Sequence, residues 1–148
     1  MLQEFRSLEF HRDYEFVCEE LPKLSSERGI SGLNDEAQRK VYAVGYFFQL
    51  YAILAQLGII DRRFMGVLLR RRYVEVWNSL RPVVLRERQL RNLPDESILN
   101  WLEEFAAYAE RLPADEIVRI RVKQHKRSSV RNTALNTRSA TTDPALVE

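Results

Sequence analysis

From Val41 to Ile60 the chain reads VYAVGYFFQLYAILAQLGII, twenty residues without a charge, fenced by Arg39 and Lys40 on one side and by Asp61, Arg62 and Arg63 on the other. A helix of that length can cross a bilayer core, and on a helical projection its apolar residues fall on nearly every side. The segment must be wrapped by neighbouring helices or sit in lipid. One seam separates the two cases: Gln38, Tyr42, Gly45, Gln49, Ala52 and Gln56 follow one another at spacings of four and three. Lipid does not reward glutamine amides that need partners, whereas a helix-pairing face can satisfy them. Gly45 and Ala52 on the same stripe let another backbone come close. The expectation is a long buried central helix of a soluble bundle, with the seam meeting either its own bundle or a second copy of the chain.

The neighbouring segments fit that frame. Few Gly and Pro residues (five of each) favour long helices over a sheet protein needing many turns. Ser7 or Asp13 is a candidate N-cap for a first helix ending near Leu21, in one or two pieces. Residues Pro22 to Leu33, PKLSSERGISGL, carry turn chemistry and should return Leu24, Ile30 and Leu33 to the core. Asn34 or Ser31 can cap the central helix, with Asp35 and Glu36 in its first turn and Gly58 as its C-terminal stop.

Asp61 then caps a helix over about Arg62 to Ser79, packed against the central one as an antiparallel hairpin. Pro82 predicts a kink or break near Leu80. A further helix is expected to begin at Pro94, Asp95 and Glu96, with Asn92 a possible cap, and to end at Pro113. A short helix from Ile117 to about Lys126 would follow. The fold class expected is all-α: an antiparallel bundle of four to five helices over residues 1–127, with a flexible basic and polar tail over 128–148.

Charge is segregated although the net is only +2. Met1 to Gln38 holds nine acids and four bases, Arg62 to Arg91 nine arginines and two glutamates, Asn92 to Glu116 seven acids and one base, and Ile117 to Glu148 seven bases and two acids. Helices so charged can neutralise one another when packed. Arg63, Arg70, Arg81 and Arg88 would align as a stripe if the helix ran straight through Pro82, and Arg119, Arg121, Lys123, Lys126 and Arg127 extend the basic content. These nine residues are the candidate contacts to an anionic partner, nucleic acid or membrane surface.

Catalytic chemistry is thinly represented. His11 and His125 lack ligand-spaced partners, no glycine motif cradles a phosphate, and no serine sits in an elbow motif. No enzyme activity, cofactor or metal is expected. The single Cys18 cannot form an internal disulfide, and Glu19 and Glu20 beside it raise rather than lower its thiol pKa. With no apolar leader among Met1 to Arg12, a cytoplasmic location is expected, with peripheral membrane association as a variant.

The run LGIIDRRFMGVLLRRRYVEVWNSLRPVVLRERQL, followed by ESILNWLEEFAAYAER, resembles a bacterial all-helical domain family of unknown function, often encoded after N-terminal membrane helices. The resemblance covers about Asp35 to Arg111 and rests on Gly58, Ile59, Ile60, Asp61, Trp77, Pro82, Glu87 and Arg88. Its members commonly carry an acid inside the central helix, where this chain has Gln49. It implies an all-helical fold and a membrane-linked partner, and attaches no catalytic activity. The functional expectation is a non-catalytic protein–protein interaction or regulatory module, with a homodimer as one form of it and a nucleic-acid or anionic-membrane accessory protein as the alternative.

Overall fold

Three side-chain caps set where the helices begin. Ser7 accepts from the Phe10 amide, Asn34 from the Ala37 amide and Asp61 from the Phe64 amide, each satisfying a donor that a helix start leaves unpaired. The computed structural model describes residues 7–94 and 97–113, and among these it is all-α. The α-helices are α1 (Leu8–Glu15), α2 (Asp35–Gln56), α3 (Arg62–Leu68), α4 (Arg70–Leu90) and α5 (Asn100–Arg111). The expected helix over 117–126 and the tail over 128–148 lie outside the described residues, as does the Asp95–Glu96 turn.

The chain leaves α1 through a π-helical turn, Phe16–Glu20, and a 3-10 turn, Leu21–Lys23, which carries Pro22. Asp13 does not cap a second helix there; it is buried within α1 and accepts two bonds of 3.1 Å from the Arg39 guanidinium. The following loop brings Ile30 fully into the core and Leu33 partly, while Leu24 stays exposed.

The central helix α2 ends as expected. Gly58 takes a positive φ of 72°, its amide donates to Ala55 and the Ile59 amide to Leu54, so two orphan carbonyls find donors. Phe48 then stacks edge-on to Tyr73 at 5.0 Å, and Gly45 faces Leu80, which makes α2 and α4 antiparallel. Tyr73 also meets Phe105 at 4.5 Å, and Arg70 reaches the Glu110 carbonyl at 2.8 Å, so α5 runs antiparallel to α4.

Three boundaries differ from expectation. The helix after Asp61 stops at Leu69, where φ is −111° and ψ 13°. Helix α3 makes its own contacts with α5 and the residue after it: Arg62 lies over the Tyr108 ring at 4.1 Å, and a Cβ on Gly66 would approach Leu112 Cδ1 to 2.8 Å. No break occurs at Pro82, because α4 is continuous from Arg70 to Leu90. Pro82 and Asn78 are both exposed, so the carbonyl deprived of its N–H partner faces water. Asn92 does not cap α5; with φ 49° it ends α4, its amide bonding Gln89 and the Leu93 amide bonding Arg88. Asparagine tolerates that left-handed geometry better than most residues. Consequently α5 begins at Asn100, later than the Pro94 start.

Candidate interaction surface

The central helix is apolar on all sides, but the bundle covers only part of it. Val41, Val44, Phe48, Ala52 and Ala55 are buried against α4 and α5. Phe10 and Phe47, with ring centroids 4.5 Å apart, join α2 to α1. The opposite face carries Ala43, Tyr46, Leu50, Ile53 and Leu57, spaced alternately three and four apart, so they line one stripe. Tyr46 is 51% exposed, Leu50 38% and Leu57 68%, with Ile53 half-buried between them. The stripe contains no charge and runs roughly 21 Å. Beyond the end of α2, Ile59, Phe64 and Leu68 are also exposed.

The seam expected for helix pairing lies beside this stripe. At its centre, Gly45 receives Leu99: a Cβ added to Gly45 would sit 2.7 Å from Leu99 Cδ1. Ala52 is buried, Gln38 donates to the Leu33 carbonyl at 2.8 Å, and Tyr42 stacks on Tyr46 at 5.7 Å. Gln49 is half-buried, with its amide oxygen lacking a hydrogen-bond partner among the described residues, and Gln56 is exposed. The seam therefore meets its own bundle at Gly45 and Ala52.

The arginines do not form the stripe that alignment through Pro82 would give. Arg88 is only 3% exposed and points inward, donating to Glu103 at 2.9 Å and to the Ile98 and Ser97 carbonyls at 2.8 and 3.3 Å. Arg70 is tied to Glu110, whereas Arg63 and Arg81 are exposed. Helix α4 carries Arg70, Arg81 and Arg88 in one unbroken run, but Arg63 lies on α3 beyond the break at Leu69, and burial of Arg88 ends the run as a continuous phosphate-tracking surface. Arg119, Arg121, Lys123, Lys126 and Arg127 lie outside the described residues.

Sequence reasoning missed the buried charges. Glu87 is fully buried; its carboxylate accepts from the Ser31 amide at 2.9 Å and from the Ser31 hydroxyl, and pairs with Arg91. Burial pushes its pKa up, but the Ser31 donors and Arg91 outweigh that and hold it below the ordinary carboxylate value. Gly29 makes the approach possible: its φ is 64°, and a Cβ there would lie 2.9 Å from the Glu87 backbone nitrogen. The ERGISG loop is thereby pinned to α4, with Arg86 adding a 2.8 Å bond to the Glu27 carbonyl. The Glu87 carboxylate is buried and satisfied by Ser31 and by the exposed Arg91, which suits holding the fold together rather than acting on a substrate.

A last polar cluster lies at the π-turn. The Tyr14 hydroxyl donates to Glu75 at 3.2 Å, and Cys18 sits beside both. Burial pushes the Cys18 thiol up to about 11, against a smaller lowering by its Tyr14 hydrogen bond and with Glu75 and Glu19 adding to the rise. A thiol so protonated is a poor nucleophile. Among the described residues no three His, Cys, Asp or Glu side chains group to hold a metal ion, and no helix is long and apolar enough to cross a membrane. No family model, curated protein sequence or solved structure matches this chain.

Proposed function

We propose that this chain is a non-catalytic helical interaction module, regulatory in character, that docks a protein partner on the uncovered face of α2. The observation that carries this reading is the Tyr46–Leu50–Leu57 stripe, apolar and exposed on a helix whose opposite side forms the core. Interface centres are depleted in charge and enriched in aromatic residues; the stripe is uncharged and carries Tyr46. The buried carboxylates Asp13 and Glu87 already have partners within the bundle, whereas the stripe is apolar surface that gains from being covered. The unactivated Cys18 suits a reducing compartment such as the cytoplasm, and nothing in the reading requires a cofactor.

A photo-crosslinking amino acid placed at Leu50 or Leu57 tests this in cells. Adducts to protein at those two positions, absent when the probe stands at exposed Arg81 on α4, are the expected result. Equal labelling at all three positions, or none at any, overturns the reading.

A further inference from the structure

We infer that the occupant of this face is a second copy of the same chain, paired antiparallel through α2 about a twofold axis near Leu50. The inference rests on the interaction-module reading and names its partner.

Leu50 is the middle residue of the stripe, with Ala43 seven residues before it and Leu57 seven after. An antiparallel pair centred there sets Leu50 against its counterpart, Ala43 against the partner's Leu57, and Tyr46 near the partner's Ile53. Small thus meets large at both ends, which lets two identical helices interdigitate.

Charge selects the same direction. Around the start of α2 lie Glu9, Asp13, Asp35, Glu36 and Glu87 against Arg39, Lys40 and Arg91, an excess of acid. Asp13 and Glu87 are buried against Arg39 and Arg91, whereas Glu9, Asp35 and Glu36 are exposed. Past its end stand exposed Arg62 and Arg63 against Asp61. Antiparallel pairing brings the acidic end of each copy to the basic end of the other; parallel pairing stacks like on like. The same acids disfavour an anionic lipid surface, which would meet Glu9, Asp35 and Glu36 as well as the arginines.

Light scattering of the full chain at rising concentration is expected to give twice the 17.5 kDa chain mass. Leu50→Glu and Tyr46→Glu, both at exposed sites, should keep the circular dichroism spectrum and melting profile while weakening the dimer by at least about a hundredfold, since each places carboxylates in a dry contact. In a Cys18→Ser background, Leu50→Cys should oxidise to a linked dimer. Ala43→Cys and Leu57→Cys should link to each other when mixed, and neither should link to itself.

A chain mass of 17.5 kDa at every concentration overturns the inference. So does a dimer indifferent to both glutamate variants, or self-linking by Ala43→Cys, which would mark a parallel pair. Sedimentation of monomeric chain with phosphatidylserine vesicles, lost in Leu50→Glu, would assign the face to lipid instead. A monomer that still crosslinks a different protein through Leu50 would remove the second copy and leave the interaction-module reading standing.

Discussion

Leu99 holds a left-handed backbone, φ 61°, and its fully buried side chain fills the notch that Gly45 leaves in the central helix. A non-glycine residue in that region carries a penalty of about 1–2 kcal/mol, which the burial of an entire leucine side chain offsets. Arg88 supports the turn by binding the two carbonyls immediately before Leu99.

Gly45→Leu should therefore destabilise the bundle itself. Overpacking a tight contact costs typically about 1–3 kcal/mol, and Leu99 Cδ1 has no free space because its residue is wholly enclosed. Leu99→Ala should cost about 2–5 kcal/mol through the cavity it leaves. Urea denaturation midpoints check both; a Gly45→Leu midpoint equal to wild type would show that the notch is not filled. It follows that Gly45 substitutions report on folding and are unsuited to testing assembly.

Glu87 links stability to pH with a definite sign. Its folded-state pKa lies below the ordinary value, so its contribution is fully present above the usual glutamate pKa of about 4.3 and is lost as pH falls through the lower folded value. Glu87→Gln should lower stability at neutral pH by about 1–3 kcal/mol. The same variant should flatten the acid limb of the stability curve. Thermal melts of wild type and variant between neutral pH and pH 3 measure this, and parallel curves would refute it.

Pro82 sits inside an unbroken helix and removes one hydrogen bond on its wet side. Pro82→Ala restores the amide donor to the Asn78 carbonyl and should stabilise the protein, by up to about 3 kcal/mol if the full penalty of an interior proline is felt. A raised urea midpoint is the expected readout. A lowered one would mean that the ring has a packing role which its exposure does not suggest.

Cys18 should be sluggish toward alkylating reagents. With its thiol pushed up to about 11, the thiolate fraction at pH 8 is small, and reaction with iodoacetamide should run roughly a hundredfold slower than for a free thiol of ordinary pKa. Stopped-time mass spectrometry gives the rate. Labelling as fast as free cysteine would show that the π-turn opens readily.

Much of this architecture is legible in the residues. Ser7, Asn34, Asp61 and Gly58 mark helix ends through chemistry local to each end, and the structure uses each as its type predicts. The break at Leu69 has no Pro or Gly at the position itself, and the close approach of Tyr108 and Leu112 to Gly66, in the turn before it, is a contact distant in sequence that local propensity does not reveal. Glu87 and Arg88 look like surface charges on a helix; Ser31, distant in sequence, is what makes burial of Glu87 tolerable. The uncovered stripe was hidden for a different reason. A helix apolar on every side does not declare which side its neighbours will leave bare.

The Tyr73 hydroxyl, 3.1 Å from the Phe48 carbonyl, sets an index mark between the two longest helices. Sliding one helix past the other by a single residue, about 1.5 Å, would break that bond and strand a buried hydroxyl. Register between α2 and α4 is thus secured by a directional contact inside a core of otherwise slippery surfaces. Amide protons around Phe48 and Tyr73 should accordingly be among the last to exchange with solvent, and the ERGISG loop should open long before them.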